Sequence, residues 1–165
     1  MSKLHNILLS LLMTFGLLAS AGTLAADEDD DVVKVVYHAD FADPRRFSAM
    51  LTSIYNMASY YENEFVEYDI RIVFVAHGIR FVTDDKLNGT PFQEDVAMAE
   101  RRDNNKGRLL SLNDVLSIKL ELCDITRSQV NLGKGKLYEP VESVPSGVVR
   151  IAELQRDGFA YIKVE

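Results

Sequence analysis

The residues of this chain that could do chemistry are few. Cys123 is the only cysteine, and His38 and His77 are two of three histidines, the third lying at position 5. Cys123 stands where an apolar, strand-like run, Ile118 to Leu122, meets a helix-start signal, Asp124-Ile125-Thr126. A thiol there feels the positive end of the helix, which favours its thiolate and makes it available as a nucleophile or sulfur carrier. The plainer reading is a small buried hydrophobe, since free cysteine is among the most buried residue types.

His38 and His77 each follow an apolar run, Val32 to Tyr37 and Ile70 to Ala76. If the three runs are neighbouring strands, one sheet edge gathers His38, Asp40, His77, Cys123 and Ser146, with backbone amides from Gly78 and Gly147 at helix entries. A histidine beside a thiol takes its proton or pairs with its thiolate. Two histidines, a thiolate and Asp40 also make a tetrahedral zinc set on paper. No local pair such as Cys-x-x-Cys or His-x-x-x-His supports it, so no metal and no cofactor is expected. Acyl transfer by Cys123 and His77 lacks a recognisable orienting group or oxyanion loop.

Other features carry less. Arg101, Arg102 and Arg108 lie in a helical stretch and read as a solvated face. Gly133-Lys134-Gly135-Lys136 lacks the Gly-x-x-x-x-Gly-Lys-[Ser/Thr] spacing of a phosphate loop and reads as a surface turn. Tyr55, Tyr60 and Tyr61 sit in the first helix as core or subunit interface.

The elements that must position these groups follow from periodicity. Asp43-Pro44 is a helix start, with a capping side chain and proline at the first helical position. Phe47, Met50, Leu51, Ile54, Ala58 and Tyr61 recur at three- and four-residue steps, one buried helix face. Leu87 to Pro91 reads as a loop, and Phe92 to about Leu116 as helical segments interrupted near Asn104 to Gly107. A short helix starts at Asp124. Val141 to Val144 makes a fourth strand, Ser146 caps a helix from Val148 to about Asp157, Gly158 stops it, and Phe159 to Val164 is the last strand. Strands alternating with helices predict a single three-layer α/β/α sandwich of about five mainly parallel strands. Ligands bind such sheets outside the carboxyl ends of the strands.

Length and composition set the context. Of 165 residues, 18 are basic and 25 acidic, for a net charge of −7. Residues 1–25 read as a signal peptide: Lys3 near the start, an apolar run Ile7 to Leu18, then small residues before Ala21 and Ala25. Residues 26–31 read as an acidic tether, and residues 32–165 as the folded domain. Removal of the leader leaves 17 basic against 25 acidic residues. Such a protein has no electrostatic case for nucleic acid or an anionic membrane. Export implies a periplasmic location, where a single cysteine cannot form an intrachain disulfide and is spare, intermolecular or functional.

Several segments together resemble the DsrE/DsrF-like family, in its branch of short, often exported proteins. They are Val35-Val36-Tyr37-His38, Asn56, Val73-Phe74-Val75-Ala76-His77-Gly78, and Leu120-Glu121-Leu122-Cys123 with Thr126. The longest runs are Val144 through Gln155 and Gly158 through Lys163. The resemblance implies a five-stranded parallel α/β/α sandwich, assembly into trimers or hexamers, and a cysteine, here Cys123, that carries sulfur as a persulfide to or from donor and acceptor proteins. On that basis His77 and His38 are expected to tune Cys123, with Asp40, Gly78, Ser146 and Gly147 shaping the pocket. The chain would be a carrier more than a turnover enzyme. A small-ligand-binding or scaffold module of the same fold is the alternative.

Overall fold

The computed structural model describes residues 32–164; the expected leader and acidic tether lie outside the described residues. Five parallel strands form one sheet: β1 Val33–Ala39, β2 Tyr68–Phe74, β3 Lys119–Cys123, β4 Val141–Val144 and β5 Ala160–Lys163, in the order β4-β3-β2-β1-β5. The helices are α1 Pro44–Asn63, α2 Val96–Leu116, α3 Asp124–Gln129 and α4 Gly147–Arg156, with a 3-10 turn at Ala76–Phe81 after β2.

Side chains of a strand alternate between the two faces of its sheet. Val35, Tyr37 and Ala39 of β1, Ile70, Ile72 and Phe74 of β2, and Leu120 and Leu122 of β3 enter one core, packed with Phe47, Met50, Leu51 and Ile54 of α1 and Leu109, Leu112 and Leu116 of α2. Val36 and Val73 take the opposite face, under Ile151 and Leu154 of α4 and beside Phe159. This is the expected α/β/α sandwich, with a large core on one side and a small one on the other. The runs look continuously apolar in sequence because both faces are covered.

Asp43 caps α1 through a hydrogen bond from the Arg45 amide (2.7 Å), and Pro44 occupies its first turn. Gly158 lies past the end of α4 with φ of +91°, the left-handed conformation that suits glycine. The break expected in the second long helix does not occur. α2 runs unbroken through Asn104 and Gly107, because Asn105 is buried and its amide donates to the Pro44 carbonyl (3.0 Å), a tether to α1. Arg102 and Arg108 are likewise not simply a solvated face. Arg102 bonds Glu94 (2.8 Å) and the Thr83 carbonyl, and Arg108 bonds Ser48 and Thr52 of α1.

Candidate functional site

Glu121 and Cys123 of β3 alternate with Leu120 and Leu122, so both face the α4 side of the sheet. Cys123 is the last residue of β3 and the N-cap of α3, with its Cα in register with Val144 of β4. Only 4% of it is exposed. An N-cap side chain points at the free amides of the first helical turn. No capping bond of the kind oxygen makes is closed. The larger sulfur is instead stabilised as a charge by the amides of Thr126 and Ile125.

A third amide comes from α4. Gly147 is its first residue, and a Cβ built there would lie 2.6 Å from Val75 Cγ2 and 3.0 Å from Cys123 Cβ. Only glycine lets α4 begin this close to the sheet, and that approach brings the Gly147 N–H to the sulfur. The fourth donor is the Thr126 hydroxyl. Thr126 is buried, and its oxygen accepts the Ala76 N–H (3.1 Å), leaving the hydroxyl proton for Cys123. Ala76 presents that N–H from a left-handed backbone, φ +48°.

Burial pushes the Cys123 thiol up. The Gly147 amide, the Thr126 amide and hydroxyl and the Ile125 amide outweigh it and hold the thiol below its ordinary value. The arrangement is a buried thiol whose ionised form is favoured by surrounding backbone and hydroxyl donors.

The other expected residues occupy distinct places. Ser146 caps α4 by accepting the Val149 N–H (3.5 Å). Gly78 abuts the end of β1: a Cβ there would lie 2.1 Å from the Ala39 carbonyl oxygen. The ring of His77 packs edge-on against Phe92, centroids 5.1 Å apart. His38 pairs in register with Val73, two strands from β3, a lateral separation of roughly 10 Å from the line of Cys123. Its Nδ1 lies 2.9 Å from the Tyr161 hydroxyl and its Nε2 4.0 Å from Asp40 Oδ2, while Lys163 Nζ lies 3.5 Å from the same carboxylate oxygen. Burial lowers the His38 pKa; Asp40 raises it and Lys163 lowers it, and the net shift is down.

The carboxyl edge thus holds two centres. One is the sulfur of Cys123 with Gly147, Ile125 and Thr126; the other is an imidazole, phenol, carboxylate and ammonium cluster between β1 and β5. Thr126 and Tyr161 were not singled out as site residues from sequence. The Cys-x-x-Thr spacing, N-cap to third helical position, was the available signal for the first. Nothing local points to Tyr161, which reaches His38 through strand pairing 123 residues away.

Apolar side chains are exposed at the starts of α3 and α4. Ile125, Val148 and Val149 are each more than half exposed. A cavity of about 350 Å³ is lined by Val144, Pro145, Ser146, Val149, Arg150 and Glu153. Among the described residues no three His, Cys, Asp or Glu side chains converge to hold a metal ion, and no helix is long and apolar enough to cross a membrane.

No protein-family model and no curated protein matches the chain. Among solved structures it is similar to the protein of unknown function MTH1491 from Methanobacterium thermoautotrophicum, with a TM-score of 0.61 and 22% identity over 79% of this chain and 98% of that one. The ychN protein from E. coli aligns with a TM-score of 0.49 and 15% identity, over 79% and 98% of the two chains. The likeness to the methanogen protein is one of fold.

Proposed function

We propose that this chain is an exported sulfur carrier whose working atom is the sulfur of Cys123. The observation that carries this reading is a buried thiol held below its ordinary pKa by four donors from three residues, Gly147, Thr126 and Ile125. The resemblance of the Cys123 segment to the DsrE/DsrF-like family supports it.

The step balances without a separate oxidant. The Cys123 thiolate attacks the outer sulfur of a donor persulfide R–S–SH; an S–S bond to Cys123 forms as the donor S–S bond breaks. The electron pair leaves with the donor thiolate, and the transferred sulfur keeps its oxidation state and its proton. An acceptor thiolate then attacks the outer sulfur and Cys123 leaves as a thiolate. The same donors assist both halves, because they stabilise Cys123 as the attacking and as the leaving anion.

Intact mass after exposure to a persulfide donor tests this. One added sulfur on the wild type and none on Cys123→Ser is the expected result; no addition, or equal addition to both, refutes it. The exposed Ile125, Val148 and Val149 favour a protein partner or a second copy at this edge. If the persulfide test fails while light scattering shows an assembly that Val148→Asp dissociates, the chain is a scaffold or binding module in which Cys123 only packs.

A further inference from the structure

The start of α4 lies against Cys123, a Cβ at Gly147 falling 3.0 Å from Cys123 Cβ, and one ion pair joins α4 to β3 two residues before Cys123. Glu121 precedes Cys123 by two residues in β3 and so shares its face. Arg150 follows Gly147 by three residues, nearly one turn of α4. Arg150 Nε donates to Glu121 Oε2 (2.7 Å) and Nη2 to Oε1 (2.9 Å), a two-pronged fork. Arg71 Nη1 adds a third bond to Glu121 Oε1 (3.0 Å) and is itself held by Asp69. Glu121 is 3% exposed.

We infer that Glu121 and Arg150 are positioning residues for Cys123: their fork fixes the start of α4 so that the Gly147 amide stays beside the sulfur. This rests on the reading of Cys123 as the working atom. A buried ion pair is a weak device for stability, since apolar side chains of similar volume do as well or better. A fork between a guanidinium and a carboxylate is instead a device for orientation. Here it acts on a helix whose first residue has no spare room, because Val75 and Cys123 already fill the space a Cβ would need. The rest of α4 is held by Ile151 and Leu154, one and two turns beyond Gly147, in an apolar contact that has no directional bond of its own.

Arg150→Lys separates geometry from charge, because it keeps the cation and loses the fork. The readout is the pH dependence of alkylation of Cys123 by iodoacetamide on the folded protein, with circular dichroism to verify the fold. At a pH below the wild-type midpoint, alkylation of Arg150→Lys is expected to fall roughly three- to tenfold, the effect of weakening one donor to an anion. Lys119→Met, which removes the Lys119 to Asp69 pair (2.9 Å) from the same charge network without touching α4, leaves the midpoint unchanged. A wild-type midpoint in folded Arg150→Lys overturns the inference, and so does an equal shift in Lys119→Met. If Arg150→Lys does not fold, Glu121→Gln, which keeps the side chain's size but turns one accepting oxygen into a donor and so breaks the fork, is measured against the same criterion. Failure of persulfide loading in the wild type refutes the carrier reading and leaves this thiol profile standing.

Discussion

Replacing Thr126 by valine removes one oxygen while keeping the side chain's volume, and it acts on two partners at once. The Ala76 N–H loses its acceptor at 3.1 Å, and Cys123 loses its hydroxyl donor. A buried amide left without a partner costs about 1–3 kcal/mol, and Ala76 is partly buried, so urea unfolding should show a loss toward the lower end of that range. A hydrogen bond to a charged group is worth about 1.5–3 kcal/mol, and the two amides of α3 remain, so the lower end applies. At a pH below the wild-type midpoint the thiolate fraction, and with it the iodoacetamide rate, should fall roughly tenfold.

The variant should also alter how stability depends on pH. The folded thiol of the wild type lies below its unfolded value, so between those two values the unfolded chain binds more protons and stability rises with pH. That contribution is complete above the unfolded value and is lost as pH falls through the folded one. Thr126→Val should flatten this rise, and Thr126→Ser, which keeps the hydroxyl, should restore both the rise and the alkylation rate. Thr126→Val that loses stability yet alkylates with the wild-type pH profile would refute the idea that the hydroxyl acts on the sulfur, leaving Thr126 as a tether for Ala76 alone.

Gly147→Ala places a methyl 2.6 Å from Val75 Cγ2 and 3.0 Å from Cys123 Cβ, so overpacking of about 1–3 kcal/mol is expected in urea unfolding, together with slower alkylation of Cys123. Gly78→Ala meets the Ala39 carbonyl oxygen at 2.1 Å, and a backbone atom cannot swing aside; this variant should lose more stability than Gly147→Ala, and equal midpoints would contradict the close approach of β1. Burial lowers the His38 pKa, so between its folded and unfolded values the unfolded chain binds more protons, and stability is lost as pH falls through the folded value. His38→Gln should therefore show a shallower loss of stability on acidification than the wild type, and a titration of the His38 ring by NMR should give a midpoint below that of an unfolded-chain histidine.

The fold was legible because its strongest signals are local. Val35 to Tyr37 is apolar on both alternating positions and Ile70 to Phe74 is so except at Arg71, and Asp43-Pro44 and Gly158 mark helix ends through side-chain and backbone conformations that act within a few residues. Asn105 misled for the opposite reason. A polar run that ends in a glycine, Asn104 to Gly107, resembles a helix break, and only the Pro44 carbonyl, 61 residues away in sequence, makes Asn105 a buried tether. Cys123 was legible as a centre from rarity and position. Its donors were less so, since amides carry no sequence signature: Gly147 was found as a helix entry, whereas Thr126 looked like part of the helix start. His38 and His77 were candidates for tuning the thiol from their rarity and their places after strands, and sequence does not fix lateral distance across a sheet. The strand order sets His38 two strands from β3, with its Nδ1 at the Tyr161 hydroxyl, while the ring of His77 packs on Phe92 and its effect on the thiol is what alkylation of a His77→Ala variant reads.

A thiol ionised by backbone amides differs in consequence from one ionised by a histidine. A histidine that takes the proton ties reactivity to its own titration, so the site would switch with pH near neutrality. Amides and a hydroxyl do not titrate there, so a Cys123 thiolate stabilised by them alone depends on its own protonation and on the seating of α3 and α4. For a carrier this matters more than raw nucleophilicity, because lowering a thiol's pKa reduces its intrinsic reactivity while improving it as a leaving group. Donors that act on the same atom before and after transfer therefore favour reversible exchange over a one-way step. The alkylation profile of wild-type Cys123 distinguishes the two designs: a single ionisation unaffected by His77→Ala supports the amide cradle, and a profile that loses an ionisation in that variant identifies the imidazole as the base.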